Sequence, residues 1–372
     1  MDLRPLLLQR IPALTYAVLI AVVAVSPTYA VGPPSIASLN KITTISTTVP
    51  SNGDLNPYGV ARIQVSKGRL VAGEILVSNF NNSDNLQGTG TTIVQIAPDG
   101  GFSLFAEINP VKVSCPGGIG LTTALAVLRS GFVIVGSLPA PSGSSADAEA
   151  GCLIVLDRWG KVIETFSGDG INGRWDMTAV DFDCFAVLFV TNVLNGTVAA
   201  SGDTVNRGTV LRLLLEIPED RSPRLLDSSV IASGFSERTD PNALVIGPTG
   251  VAFDDRSGTL YVADTLNNRI AAIPNALFRF FPAHTGFTVS EDGALNAPLG
   301  LCITHNHRLI AANGGDGNLV EINPETGIQT ATKQVDGTGG PPTGAGALFG
   351  LIAVEEGVYF VDDASNTLNL LH

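Results

Sequence analysis

One strand motif recurs along this chain and limits the folds that are open to it. Three consecutive copies each begin with a glycine-containing strand, continue with a strand ending in Asp or Asn, and close with a third apolar strand. Their first-strand glycines, Gly250, Gly300 and Gly350, are spaced 50 residues apart. An earlier copy begins at Asn56, and degenerate copies lie around Ala124 and Met177. Six units of about 57 residues therefore fill the chain after residue 30.

Each unit supplies three or four short strands, and the composition agrees with many strands joined by turns, with 41 Gly and 22 Pro. The apolar faces of such a unit cannot be buried alone, so units of this kind stack around an axis. The sequence predicts an all-β, six-bladed β-propeller. The Lys41–Ile45 stretch is predicted to pair with the last strand, Leu368–Leu371, so that an N-terminal strand completes the last blade and removes an exposed sheet edge.

The fourth unit carries the fullest form of the motif, with Gly247–Phe253, then Thr259–Asp264, then Asn267–Ile270. It resembles the NHL-repeat family of six-bladed β-propellers. Looser versions of such repeats occur in gluconolactonases and strictosidine synthase-like proteins. The resemblance covers residues 40–372 and implies a fold, whereas it implies no particular activity.

The first thirty residues differ from the rest. Arg4 and Arg10 precede an apolar run, Ile11–Val25, and Ala30 ends a stretch of small residues typical of a cleavage site. We therefore expect a signal peptide over residues 1–30 and a secreted or periplasmic propeller over residues 31–372. The alternative is an uncleaved anchor, although the run of about 15 residues is shorter than the roughly 20 that span a bilayer as a helix.

The formal net charge is −13 and no basic run occurs, which argues against nucleic-acid binding. No later stretch is apolar enough to cross a membrane, so we expect no membrane contact after signal removal. We also expect the protein to be a monomer.

The chain has four cysteines, which allow three connectivities if all are paired. Cys115 lies in a loop before the second repeat and Cys152 opens a strand within it, so a local disulfide between them is predicted. Cys184 and Cys302 lie in apolar strand patterns and are predicted to be buried free thiols.

Long polar loops mark one face of the predicted propeller. They connect the second and third strands of units 1 to 3, over Phe80–Gly90, Leu138–Gly151 and Val193–Gly208. Variable loops on a rigid scaffold commonly form binding sites. The polar residues that end the second strands belong near the same face: Asn79, Asn192, Asp264, Asn313 and Asp362. They form a candidate ligand-binding set, with the alternative that they cap turns and serve only the repeat.

A metal site is the second alternative. Asn192, Asp264 and Asp176 offer oxygen ligands that suit Ca²⁺, and the resemblance to gluconolactonases implies a divalent ion over the axis. The predicted channel-lining strands, however, lack the acidic residue that this chemistry requires. His305–His307 is predicted to be a polar turn on the opposite face.

Two functions follow from the sequence. The first is an extracytoplasmic binding or scaffold module, without a cofactor, that presents its long-loop face to a protein, a glycan or a small molecule. The alternative is a divalent-metal-dependent hydrolase or lyase of the gluconolactonase-like class.

Overall fold

Turn residues divide the chain into short strands, and each repeat unit folds into an antiparallel sheet. The computed structural model describes residues 35–168, 170–219 and 221–372. The predicted signal peptide lies outside these residues, and residues 32–372 form one unit by their contacts. No described helix has the length and hydropathy needed to cross a bilayer. Six sheets are present, so the predicted all-β, six-bladed propeller is confirmed.

The first three blades each run from an inner strand at the axis to an outer strand. Blade 1 consists of β2 (Leu55–Arg62), β3 (Ile75–Asn81), β4 (Thr92–Ile96) and β5 (Phe102–Glu107). Blade 2 consists of β6 (Leu121–Val127), β7 (Val133–Ser137), β8 (Leu153–Leu156) and β9 (Val162–Phe166). Blade 3 has five strands, β10 (Arg174–Asp181), β11 (Phe185–Asn192), β12 (Val205–Glu216), β13 (Arg224–Asp240) and β14 (Leu244–Ile246).

The last three blades follow the same plan. Blade 4 consists of β15 (Pro248–Asp254), β16 (Thr259–Asp264), β17 (Arg269–Ile273) and β18 (Phe287–Glu291). Blade 5 consists of β19 (Pro298–Ile303), β20 (Leu309–Asn313), β21 (Asn318–Ile322) and β22 (Gln329–Gln334). Blade 6 consists of β23 (Leu348–Val354), β24 (Gly357–Asp362), β25 (Thr367–Leu371) and, outermost, β1 (Ile42–Thr47). Short 3₁₀ turns are Ile36–Ser38, Pro110–Lys112, Ser145–Asp147, Thr265–Asn267 and Ala276–Phe278.

The N-terminal strand closes the ring. β1 pairs antiparallel with β25, with Ile42 opposite Leu371 and Thr47 opposite Thr367. The Thr44 hydroxyl donates to Asn369 Oδ1 (2.8 Å) within this pair. The first described turn adds anchors, since the Ile36 amide donates to Glu321 Oε2 (2.9 Å) in blade 5. The predicted completion of the last blade by an N-terminal strand is therefore observed.

The glycines of the inner strands allow neighbouring blades to approach. A Cβ on Gly300 would fall against the Phe349 carbonyl oxygen of the next blade, and one on Gly350 against the Tyr58 carbonyl oxygen. A Cβ on Gly250 would lie 2.5 Å from the Leu301 nitrogen. The 50-residue spacing thus reflects the close contact of successive inner strands at the axis.

An aromatic plug, defined here as Tyr58, Phe80, Trp175 and Phe349, closes the axis between its two ends. The Tyr58 ring stacks on Phe349 and Phe80, with centroids 3.9 and 4.4 Å apart. The Trp175 ring lies 6.1 Å from Tyr58 and its Nε1 donates to the Val245 carbonyl oxygen (2.9 Å). All four rings are buried. Such stacked rings contribute about 0.5–1.5 kcal/mol per pair beyond their burial.

The cysteines divide into a pair and two free thiols. Cys115 and Cys152 form a disulfide, with Cα atoms 5.2 Å apart, that joins the loop before blade 2 to β8. Cys302 is buried, but Cys184 is exposed, so the prediction of a buried thiol was wrong there. The β10–β11 hairpin turns at Asp183, which places Cys184 and the apolar side chain of Phe182 outside the sheet.

We expect the double variant Cys115→Ala/Cys152→Ala to lose about 2–4 kcal/mol of unfolding free energy, because the bridge closes a loop of 37 residues in the unfolded chain. Urea denaturation of variant and parent measures this loss. Cys184→Ala is the matched control and should denature like the parent, since its thiol is exposed and unbridged. Equal midpoints for the double variant and the parent would contradict a stabilising bridge.

Candidate functional site

A cavity opens on the long-loop face, directly above the aromatic plug. We call it the axial cavity; its volume is about 660 Å³. Phe349, Leu299 and Ile246 form an apolar floor, and amide and carboxyl side chains form the walls. The polar lining side chains are Asn56, Asn81, Asn85, Gln87, Asp240, Asn242, Thr265 and Asp363. A concave, partly apolar site with convergent polar groups is the usual form of a small-molecule site.

Asn56 joins the first blade to the last across this cavity. In the amide orientation that satisfies its neighbours, Asn56 Nδ2 donates to both oxygens of Asp363, at 3.1 Å for Oδ2, and its Oδ1 accepts from Asn81 Nδ2 (3.1 Å). Asn81 Nδ2 also donates to Asn85 Oδ1 (2.8 Å). The backbone of Asn56 is left-handed, with φ +63°, a conformation that Asn adopts more readily than most residues. The chain thus orients Asn56 toward Asp363.

Asp363 places a carboxyl group with a pKa near neutrality in the axial cavity. Burial, and next the nearby charge of Asp362, raise the pKa of Asp363 to about 7. Tyr58 lies beside it: burial, followed by the charge of Asp363, raises the pKa of Tyr58 well above its ordinary value. A carboxyl group with a pKa near neutrality can give or take a proton at physiological pH.

The charge of the axial cavity restricts its ligands. Its lining contains the carboxyl groups of Asp240 and Asp363 and no Lys, Arg or His side chain. An anionic ligand would meet carboxylates without a compensating cation, at a cost in Coulomb energy. The lining suits a neutral, hydroxyl-bearing molecule, whose hydroxyls pair with amides while its apolar face lies on the floor.

Two loops build one wall of the axial cavity. Gln87, in the long loop of blade 1, donates through Nε2 to the Pro241 carbonyl oxygen (2.8 Å). Asp240 Oδ1 accepts from the Asn242 and Ala243 amides, which fixes the β13–β14 turn. The long loop of blade 1 therefore lines the cavity, whereas residues 138–151 and 193–208 do not.

The loop of blade 3 has a different anchor. Glu237 in β13 is buried, accepts from the Asn195 amide (3.0 Å) through Oε1 and from Asn195 Nδ2 (3.3 Å) through Oε2, and thereby holds the loop against the blade. Burial raises the pKa of Glu237 to about 7, although the Asn195 bonds oppose this shift.

The predicted ligand-binding set ends the second strands, as its spacing indicated, but none of its members lines the axial cavity. All five are buried: Asn79, Asn192, Asp264, Asn313 and Asp362. Each bonds to its own blade or the adjoining segment. Asp264 forms a salt bridge with Arg269 (2.7 Å), and Asp362 Oδ1 accepts from the Ser365 amide (3.1 Å). These contacts are those of turn and strand-end capping.

The other members of the set make equivalent contacts. Asn79 Nδ2 donates to the Thr48 carbonyl oxygen (3.0 Å), and Asn313 Nδ2 donates to the Ala294 carbonyl oxygen (2.7 Å). Asn192 Oδ1 accepts from the Asn172 amide (3.3 Å). One polar atom of each asparagine therefore links the second strand to the segment that precedes its own blade, while Asn79 Oδ1, Asn192 Nδ2 and Asn313 Oδ1 are buried without a hydrogen-bond partner.

The three residues of the metal alternative are not brought to one cavity. Asp176 lines a second cavity of about 240 Å³ below the aromatic plug, which we call the lower channel, while Asn192 and Asp264 line neither. Asp176 Oδ2 accepts from the Val251 amide (3.0 Å), and burial raises the pKa of Asp176 to about 7. Because Asp264 already holds Arg269, this set does not fit a Ca²⁺ ion.

Among the described residues, one cluster of side chains has the composition of a metal-binding site, and it lies on the face opposite the axial cavity. Ligand atoms of Asp254, Asp255 and His307 lie within 4.8 Å of one another. Asp254 Oδ2 accepts from the Ser257 hydroxyl (2.7 Å), and its Oδ1 lies 2.8 Å from His307 Nδ1. The pair joins the inner-strand turns of blades 4 and 5, which agrees with the predicted polar turn at His305–His307.

Asn56 and Asp363 do not belong to the residues that recur at equivalent positions of the repeat. Asn56 stands where later repeats have Gly247, Ala297 and Ala347, and Asp363 stands where they have Thr265 or Gly314. The presence of polar residues at these two positions, where the other repeats have mostly small residues, is the sequence feature that distinguishes them as candidate site residues.

Comparisons with known proteins give structural neighbours only. No protein-family profile matches the chain, and no curated protein matches it in sequence. A gluconolactonase from Xanthomonas campestris shares 13% identity with a TM-score of 0.52, covering 88% of each chain. Virginiamycin B lyase from Staphylococcus aureus shares 11% identity with a TM-score of 0.53, covering 89% of this chain and 98% of the lyase.

The PQQ-bound aldose sugar dehydrogenase from Streptomyces coelicolor shares 16% identity with a TM-score of 0.50, covering 89% of this chain and 98% of the enzyme. At these identities the likeness concerns the fold. The chain has the same six-bladed propeller fold as the gluconolactonase-like and virginiamycin B lyase structures.

Proposed function

We propose that this protein is an exported, NHL-type propeller that binds a neutral, hydroxyl-bearing small molecule, such as a sugar or sugar lactone, in the axial cavity. The observation that carries the proposal is the lining of that cavity, in which amides and two carboxyl groups surround an apolar floor without a basic side chain. The Cys115–Cys152 disulfide supports export, because disulfides persist outside the reducing cytoplasm.

A hydrolase acting on a lactone or ester is the second candidate, and the buried Asp363 favours it. A carboxylate with a pKa of about 7 could serve as general base toward a water molecule above the floor. The fold neighbours include a gluconolactonase, a lyase and a sugar dehydrogenase, which supports an enzymatic role for this fold. The candidate metal ligands Asp176, Asn192 and Asp264 do not line one cavity, so the proposed base chemistry rests on Asp363.

Titration calorimetry with D-glucose and with glucono-1,5-lactone tests the binding proposal. We expect saturable binding that Asp363→Asn weakens by about tenfold or more, because a hydrogen bond to a charged group contributes about 1.5–3 kcal/mol. The parent should bind more tightly as the pH rises through about 7, since Asp363 then becomes the stronger acceptor. Asn at position 363 should remove this pH dependence.

Asp99→Asn is the matched control, because Asp99 is an exposed carboxylate in the β4–β5 turn on the opposite face. It should bind both probes like the parent. Absence of saturable binding, or equal dissociation constants for the parent and Asp363→Asn, would count against the axial cavity as the site. Turnover of the lactone that disappears with Asp363→Asn selects the hydrolase, and turnover that a chelator abolishes would restore the metal alternative.

A further inference from the structure

Four phenylalanines on the outer part of blade 4 are largely exposed. We call them the phenylalanine patch: Phe278 (63% exposed), Phe280 (91%), Phe281 (82%) and Phe287 (69%). Three lie in the connection between β17 and β18, and the fourth begins β18. Exposing such large apolar side chains together is unusual in a soluble protein and commonly indicates an interaction surface.

The segment is held in place by arginines, so the exposure is built into the fold. Arg279 Nε and Nη2 both donate to the Pro274 carbonyl oxygen, at 3.0 and 2.8 Å. Arg212 Nη1 reaches from blade 3 to the carbonyl oxygens of Leu277 (2.8 Å) and Arg279 (3.1 Å). The Arg212 and Arg279 side chains therefore fix the backbone of this segment, and the phenylalanine rings remain exposed to solvent.

Position and charge favour a lipid surface as the occupant. The β17–β18 connection lies at the ends of the blades opposite the axial cavity. The described chain begins at that same end, where the Ser35 hydroxyl donates to Glu321 Oε1 (3.1 Å) near the end of β21 in the neighbouring blade. The nine residues 26–34 separate Ser35 from the apolar run of residues 11–25. The patch thus lies at the same end of the domain as Ser35, the residue through which the apolar run is joined to the propeller in the sequence.

The local charge agrees with this placement. In a chain with net charge −13, residues 270–290 contain no Asp or Glu and carry Arg279 and His284. A protruding loop tip also offers a protein partner little area, since stable protein interfaces bury roughly 1,200–2,000 Å². Insertion of a few aromatic rings at the boundary between headgroups and acyl chains requires no such flat surface.

In contrast to the expectation from the sequence of no membrane contact, we propose that the phenylalanine patch docks the propeller on a zwitterionic lipid surface, with Phe280 and Phe281 entering the headgroup region. In this orientation the axial cavity faces away from the bilayer and stays open to water. The inference is independent of which ligand the cavity binds.

Cosedimentation of the purified protein with phosphatidylcholine vesicles tests the proposal. We expect the parent to sediment with the vesicles, and Phe280→Ser/Phe281→Ser to lower the partition coefficient by about tenfold or more, because each buried phenylalanine contributes strongly to transfer from water. Both rings are solvated in the free protein, so the variant should keep the parent's circular dichroism and melting temperature. Val111→Ser is the matched control: Val111 is 92% exposed but lies between β5 and β6 on the cavity face.

Three outcomes would overturn the proposal. The first is a parent that stays in the supernatant at all lipid concentrations. The second is equal loss of sedimentation in Val111→Ser and the double phenylalanine variant. The third is a parent dimer, seen by light scattering, that the double phenylalanine variant converts to a monomer without any vesicle binding, which would make a second copy of the chain the occupant.

Discussion

A chain that begins at Thr48 should lose at least about 10 °C of melting temperature, or fail to accumulate as a monomer, relative to one that begins at Ser35. The truncation removes the β1–β25 pairing and leaves β25 as an open sheet edge. It also removes Ile36 and Leu39, both buried between blades 5 and 6. Each buried side chain contributes about 1.5–3 kcal/mol and each backbone hydrogen bond about 0.5–1.5 kcal/mol, so the sum approaches the whole stability of a typical domain.

The rescue of this truncation separates strand closure from general damage. A synthetic peptide of residues 35–48, added in excess, should restore much of the lost melting temperature by occupying the edge of β25. A peptide with the same composition in scrambled order is the control and should not do so. Equal melting curves for chains beginning at Ser35 and Thr48 would show that the ring is closed by other contacts.

Replacing Asp176 with Asn should stabilise the protein at alkaline pH by up to about 4 kcal/mol. Burial raises the pKa of Asp176 from 3.8 to about 7 in the folded protein, and a shift of one pKa unit corresponds to about 1.36 kcal/mol. Below pH 3.8 both states hold the proton. Between pH 3.8 and 7 only the unfolded state releases it, so stability falls with rising pH, and above pH 7 the full cost is present.

Urea denaturation at a series of pH values measures this difference. The Asn variant keeps an oxygen that can accept from the Val251 amide, so its advantage over the parent should be small near pH 4 and largest near pH 8. Asp84→Asn, at an exposed position in the long loop of blade 1, is the control and should follow the parent at every pH. Parallel pH profiles for Asp176→Asn and the parent would mean that the carboxyl group ionises without penalty.

The fold was predictable from the sequence because local rules determine it. The glycines at 250, 300 and 350 repeat because inner strands of neighbouring blades contact each other there, and Gly59 makes the same kind of contact with blade 2. The apolar and Thr-rich stretch around Ile42 had no partner nearby in sequence, which identified it as the strand that closes the ring.

The site was less predictable because it depends on contacts that exist only in the closed ring. Asn56 and Asp363 are separated by most of the chain, and nothing local indicates that their side chains meet. The buried Asp and Asn residues at the strand ends were more conspicuous, yet each of them bonds to the scaffold and none lines the axial cavity. Cys184 was misplaced for a related reason, since an apolar pattern does not show where a hairpin turns.

The aromatic plug makes the axis a dead end. Tyr58, Trp175 and Phe349 separate the axial cavity from the lower channel, although β2, β19 and β23 contribute residues to both linings. Whatever occupies the axial cavity must therefore leave through the mouth by which it arrived. A molecule bound in the lower channel would not obstruct ligand entry or exit. An effective inhibitor of ligand binding would therefore have to enter the axial cavity from the long-loop face.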